Sequence, residues 1–158
     1  MTVDPVLDLV FERLTEAPPA LVWTAWTDPE QLKQWFTPAP WTTVACAIDL
    51  RPGGRFATTM RSPEGADMPN EGCYLEVEPE RRLTWTSALG PDFRPIAIGP
   101  NLPFHFTATI VLEPHGAGTK YTAIVRHGDQ AARDQHEAMG FHDGWGAAWD
   151  QLVALLKR

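Results

Sequence analysis

All fifteen prolines of this chain lie at or before Pro114, so the segment that follows is the only long stretch free of the residue that most strongly interrupts a helix. Within it Ala138, Phe141, Trp145, Ala148, Trp149, Leu152, Leu155 and Leu156 recur at spacings of three and four, the signature of one helical face. Asp143, Ala147, Asp150, Ala154 and Lys157 fall on the opposite face, and Lys157 and Arg158 stand where the negative end of a helix favours cations. The pattern predicts a helix from about Asp129 to Lys157, roughly 40 Å long at 1.5 Å per residue. The rest of the chain must wrap around it. Gly140, Gly144 and Gly146 interrupt this stretch, each costing about 1 kcal/mol relative to alanine. They imply either a kink or close approach to a strand, or else a Gly140/Gly144 ridge that, beside Met139 and Trp145, forms one wall of a cavity.

A hydrophobic content of 44% over 158 residues, with no linker, repeat or low-complexity run, points to a single domain spanning 1–158. The net charge of -7 speaks against nucleic-acid and anionic-membrane partners, which need clustered Lys and Arg. No run of eighteen apolar residues occurs, and MTVDPVLDLV lacks the basic and apolar regions of a signal peptide, so a cytoplasmic protein is expected. Cys46 and Cys73 sit in strand-like patterns without metal-ligand spacing and read as reduced core thiols.

Upstream of the helix the period is mostly two. Val6 to Leu14 reads as a first strand, after which Pro18/Pro19 and Asp28-Pro29 open two short helices running to about Thr27 and Phe36. These carry Trp23, Trp26, Trp35 and Phe36, more aromatic mass than two short helices need, so part of it must close over something. From Trp41 to Leu89 four runs alternate between turns and form an antiparallel meander. Cys73, Leu75 and Val77 share one face of the third run, and Leu83, Trp85, Ser87 and Leu89 one face of the fourth. Gly90 to Pro103, with four prolines and two glycines, reads as a long loop whose Phe93, Ile96 and Ile98 favour folding back as a lid. Phe104 to Glu113 and Thr119 to His127 complete seven strands. The fold class is therefore α+β: a seven-stranded antiparallel sheet wrapped around a long C-terminal helix, with two short helices after the first strand.

A strongly curved sheet around a helix leaves volume to fill. The residues assigned to line it are Trp35, Phe56, Thr58, Met60, Trp85, Ser87, Phe104, Phe106, Met139 and Trp145, with Thr58, Ser87 or Tyr121 supplying the few orienting hydrogen bonds. Catalytic groups are sparse. His127, Asp129, His136, Glu137 and His142 cluster around the start of the long helix, but their spacing fits no metal motif, and on an unbroken helix His136 and His142 point to different faces. They read as helix-entry and surface histidines. No nucleophile elbow, phosphate loop or dinucleotide fingerprint is present, and neither metal nor cofactor is expected.

Four stretches, Leu21 to Pro29 (LVWTAWTDP), Asp49 to Phe56 (DLRPGGRF), Gly72 to Val77 (GCYLEV) and Met139 to Trp145 (MGFHDGW), resemble the START-like superfamily. Within it the chain is similar to the bacterial branch related to the C-terminal domain of the heat-shock-protein-90 ATPase activator. The resemblance implies the helix-grip fold and, for function, a hydrophobic or aromatic small molecule bound between sheet and helix. It also implies two alternatives: a polyketide cyclase or aromatase acting on an apolar substrate, and a domain that binds a chaperone and modulates its ATPase. Thr37-Pro38-Ala39-Pro40-Trp41 and Trp85-Thr86-Ser87 depart from the patterns seen in that branch, and both fall near the expected cavity.

Overall fold

The structure, a computed structural model, describes residues 2–100 and 102–158. The alternating runs become strands β1 (Asp8–Thr15), β2 (Thr42–Ile48), β3 (Phe56–Arg61), β4 (Asp67–Asn70), β5 (Cys73–Glu78), β6 (Arg82–Thr86), β7 (Leu89–Gly90), β8 (Arg94–Pro95), β9 (Phe106–His115) and β10 (Gly118–His127). They pair antiparallel in a five-stranded sheet of order β1-β10-β9-β6-β5, a three-stranded sheet β2-β3-β4 and a two-stranded hairpin β7-β8. This corrects the expected seven-stranded sheet.

The reason lies at Glu71 and Gly72, where one continuous run of sequence divides into β4, paired with β3, and β5, paired with β6. A side chain on Gly72 would lie 3.1 Å from the carbonyl oxygens of both Phe56 and Thr86. Glycine lets strands from two sheets converge there without displacing either carbonyl. The junction is stitched by an Arg55–Cys73 bridge and by the Phe56 N–H on the Gly72 carbonyl and the Tyr74 N–H on the Gly54 carbonyl, both 3.0 Å. Past the junction Tyr74 stands opposite Trp85, and a bulge between Tyr74 and Glu76 then shifts the register.

Helix α1 (Pro19–Thr27) starts at the predicted proline pair and stops at Asp28, whose carboxylate accepts the Glu30 N–H at 2.9 Å and so opens α2 (Pro29–Leu32). Helix α2 is a single turn, shorter than expected. Its chain continues to Phe36 as backbone turns onto the Leu32 carbonyl.

The single C-terminal helix is likewise corrected to two. Asp129 caps α3 (Gln130–Ala138) by accepting the Ala132 N–H at 2.8 Å, Gly140 then takes φ 93°, and α4 (Phe141–Leu156) begins. That left-handed conformation strongly favours glycine, which selects the kink among the explanations for Gly140. Close approach to a strand does not account for Gly144, because a methyl group added there meets nothing within 4 Å. The buried stripe of α4 is Phe141, Ala148, Trp149 and Leu152, as the spacing predicts. Gln151 fixes this helix to the α2–β2 connection: its amide donates to the carbonyls of Trp35 and Thr37, and its oxygen accepts the Ala39 N–H, all at 2.9 Å.

The expected lid is more structured than a loop. Asp92 and Phe93, at φ 61° and 62°, turn the β7-β8 hairpin, and the Asp92 N–H reaches the Gly53 carbonyl at 2.8 Å. Ile96 is half-buried, whereas Phe93 and Ile98 remain exposed. Among the described residues no helix is long and apolar enough to cross a membrane.

Candidate functional site

The register of the five-stranded sheet lines up inward side chains in rows. Tyr74, Trp85, Ala108, Val125 and Leu9 stand side by side across five strands, and Leu83, Ile110, Ala123 and Phe11 form the next row. All are buried. Two clusters of rings grow from this surface.

The first lies under α1 and the α2 turn. Trp26 packs on Trp35 at 4.8 Å between ring centres, on Trp85 at 5.1 Å and on Phe36 at 5.7 Å. Phe56 meets Trp85 edge-on at 5.3 Å and stacks on Tyr74 at 5.2 Å with only 19° between ring planes. Most contacts are T-shaped or tilted, the arrangement that ring quadrupoles favour. Of the assigned ligand residues, Trp35, Phe56 and Trp85 therefore sit together, with Thr58 buried two residues along β3 from Phe56 and Met60 half-buried near its end.

Polar groups in this cluster are treated unequally. The Trp35 indole N–H donates to the Ala25 carbonyl at 2.9 Å, but the Trp26 indole N–H and the Tyr74 hydroxyl are buried with no hydrogen-bond partner in the protein. Burial pushes the Tyr74 and Tyr121 hydroxyls far above the usual phenol range; at Tyr121 the Trp26 indole opposes this more weakly, from outside hydrogen-bond geometry. Burial also raises the Cys46 thiol to about 11, so it stays protonated.

The second cluster lies under α3 and the start of α4. Phe104 and Phe106 pack on the His136 ring at 5.0 and 5.1 Å, and Phe141 closes it edge-on at 5.3 Å. Phe141 then leads to Trp145 at 5.2 Å and Trp145 to Phe11 at 6.4 Å. Phe104, Phe106 and Trp145 thus meet here, apart from the tryptophan cluster. Met139, at the C-terminal end of α3, is 57% exposed and stands outside both.

The histidines are a correction. His127 is buried on the inward phase of β10 opposite Phe106, and His136 is half-buried against it; only His142 is exposed, its Nε2 3.1 Å from Glu137. A chain of hydrogen bonds fixes their protons. His127 Nδ1 lies 2.8 Å from the Leu7 carbonyl, which can only accept, so Nδ1 carries the proton and, in the neutral ring, His127 Nε2 is an acceptor. His136 Nδ1, 2.8 Å from that Nε2, must then be the donor. His136 Nε2 is left as an unprotonated lone pair beside three phenylalanine rings. Desolvation first, and His127 second, lower the His136 pKa to about 4, so the ring is neutral at physiological pH and offers an acceptor or a weak base.

Ser87 is already engaged. His105 Nε2 donates to the Ile96 carbonyl at 2.8 Å, so its Nδ1 accepts the Ser87 hydroxyl at 3.2 Å, while Ser87 Oγ accepts the Phe106 N–H at 3.0 Å. It tethers the segment after β8 to the sheet. Two surface depressions lie elsewhere: an open groove of about 490 Å³ beside Leu14, Thr15, Glu16, His115, Ala117 and Gly118, and one of about 220 Å³ between Ala17, Leu21, Val153 and Leu156. Among the described residues no cluster of three His, Cys, Asp or Glu could hold a metal.

Sequence reasoning leaves Tyr74 and Trp26 out of the site and sets His136 aside as a helix-entry or surface histidine. The inward phase of His127 was readable from Tyr121, Ala123 and Val125. That of Tyr74 was not, because alternation carried through the bulge puts Cys73 and Leu75 inward instead.

Residues 16–157 match the family described as Activator of Hsp90 ATPase homolog 1-like protein. The chain is similar to a crystal structure of a Nitrosomonas europaea protein at 49% identity and TM-score 0.92, covering 98% of this chain and 97% of that one. A Mycobacterium smegmatis protein follows at 27% identity and TM-score 0.78, covering 96% and 91%. A Rhodobacter sphaeroides protein, at 23% identity and TM-score 0.81 over 99% and 97%, shares the fold. No curated protein matches the chain.

Proposed function

The chain belongs to the Activator of Hsp90 ATPase homolog 1-like family, and from that premise we propose that it binds a hydrophobic or aromatic small molecule between the curved sheet and the helices that cover it. The observation that carries the reading is the tryptophan cluster: six rings in continuous contact under α1 and a one-turn α2, an apolar surface with few polar groups set into it. Phe36, half-buried and edge-on to Trp26, Trp35 and Phe56, is the ring nearest solvent, and its displacement gives access to the others. Mass spectrometry of protein purified without denaturation tests this. A stoichiometric apolar compound that leaves on unfolding is the expected result; protein that carries none and takes up no fluorescent apolar probe overturns it.

The cyclase-like alternative rests on His136, whose lone pair beside Phe104, Phe106 and Phe141 is placed to accept a proton from an apolar substrate. The chaperone alternative rests on the two neighbouring depressions beside the exposed Leu14 and Leu21, an apolar surface of the kind a protein partner covers. Stimulation of a chaperone ATPase that is lost in Leu14→Asp while apolar-probe binding persists favours this last reading over the first.

A further inference from the structure

Tyr74 and Trp26 present a physical anomaly that packing does not explain. Folded proteins pair nearly all buried donors, because leaving one without an acceptor costs roughly 1 to 3 kcal/mol. Here the Tyr74 residue is 0% and the Trp26 residue 2% exposed, yet neither the hydroxyl nor the indole N–H has a partner in the protein. The neighbouring Trp35, in direct ring contact with Trp26, shows that the fold can satisfy an indole, since its N–H reaches the Ala25 carbonyl. Trp26 and Tyr74 stand at the two ends of the ring sequence Trp26, Trp85, Phe56, Tyr74, whose successive centres are 5.1, 5.3 and 5.2 Å apart.

Resting on the small-molecule reading above, we propose that this cluster selects a neutral aromatic ligand carrying a carbonyl-type hydrogen-bond acceptor, which takes the Tyr74 O–H. The Trp26 N–H is directed towards the Tyr121 hydroxyl instead. The chemistry on both sides of Tyr74 agrees. A protonated phenol that remains protonated can donate to a carbonyl, whereas a ligand offering only donors is recognised less well. An anion is disfavoured as well: the same burial that raises Tyr74 and the Cys46 thiol penalises any negative charge brought beside them. The ring faces supply area, and the Tyr74 donor supplies direction.

The test uses two fluorescent probes of the same ring system, a (dimethylamino)naphthalene bearing a propionyl ketone and the parent without the ketone, with the wild-type chain and Tyr74→Phe. Removing an unpaired hydroxyl leaves the melting temperature unchanged or raises it, so the variant folds. The expected result is that Tyr74→Phe weakens the ketone about fivefold to tenfold, the loss of one hydrogen bond, and leaves the parent's affinity unchanged. The bound ketone's emission, red-shifted when its carbonyl accepts a hydrogen bond, moves to the blue in the variant. Equal weakening of both probes, an unchanged ketone affinity, or a lowered melting temperature overturns the proposal while leaving the small-molecule reading in place. If neither probe binds the wild-type chain, both fail together.

Discussion

The tryptophan cluster under α1 and α2 and the histidine–phenylalanine cluster under α3 grow from the same inner face of one sheet, yet they handle their polar atoms in opposite ways. Around His136 the donors are accounted for: the Leu7 carbonyl orders His127, His127 orders His136, and what remains is an acceptor. Around Trp85 two donors remain without acceptors. Both arrangements cost stability, one by holding imidazoles out of water and the other by holding an indole N–H and a phenol O–H unpaired. The difference is in the complement each could recover: the first cluster would take a donor or a proton, the second an acceptor. Area alone does not tell such sites apart, since both are lined by large apolar rings.

The comparison breaks most sharply at Trp85, which belongs to one cluster only. Trp85→Ala removes the ring between Trp26 and Phe56 and is expected to cost about 3 to 5 kcal/mol in chemical denaturation. The His127–His136 pair stays ordered in whatever fraction remains folded, as imidazole resonances would report. A loss below about 1 kcal/mol would mean that the cluster is loosely packed.

Acid separates the clusters from the other side. The His136 pKa is about 4 in the folded chain against the ordinary 6.5, so between those values the unfolded chain binds more protons and stability falls as pH falls. Stability from this group is fully present above about 6.5 and declines until about 4. The charges near it are His127 on β10, Arg133 and Glu137 on α3 and His142 on α4; Glu137 is held below the usual carboxylate range by His142 first and Arg133 second, so its contribution is lost only as pH drops under about 4.5, at the acid end of the His136 window and beyond it. In the tryptophan cluster the ionisable groups are Tyr74 and the neighbouring Cys46 thiol, both shifted upward and neutral across this range. His136→Phe is therefore expected to flatten the melting temperature between pH 6.5 and 4.5, with Tyr74→Phe leaving that slope intact. A slope that survives His136→Phe would refute the assignment.

The smallest effect concerns the helix between the clusters. Gly144 is helical with open space where a side chain would start, so Gly144→Ala should stabilise by about 0.5 to 1 kcal/mol, whereas Gly140→Ala, forced to φ 93°, should destabilise by about 1. Equal effects at both sites, read from denaturation midpoints, would mean that the kink is not set by Gly140.

Much of the fold was legible. The α4 stripe follows from the spacing of Phe141, Trp149 and Leu152, the helix starts from Pro19 and Asp28, and the inward face of β9 from Ala108, Ile110 and Leu112. The resemblance to the START-like superfamily agrees with the family match over residues 16–157. The candidate site was legible only as an inventory of rings. Trp35, Phe56 and Trp85 do meet, but Phe104, Phe106 and Trp145 belong to another cluster, Met139 to neither, and Ser87 is committed to His105.

What the chain determines by itself is periodicity and punctuation, because these are local: a side chain's direction follows from the dihedrals of its own few neighbours, and a proline or a capping aspartate acts within one turn. What only the tertiary structure decides is which polar atom finds a partner and which sheet a strand joins. The Leu7 carbonyl that sets the His127 tautomer is 120 residues away from it, and the Trp35 carbonyl held by Gln151 is 116 away. Tyr74 faces Trp85 just past Gly72, where β4 and β5 part company and two sheets meet, and the bulge that breaks the alternation follows it. Such pairings are set by how separate segments pack around one another, and no local pattern carries that information.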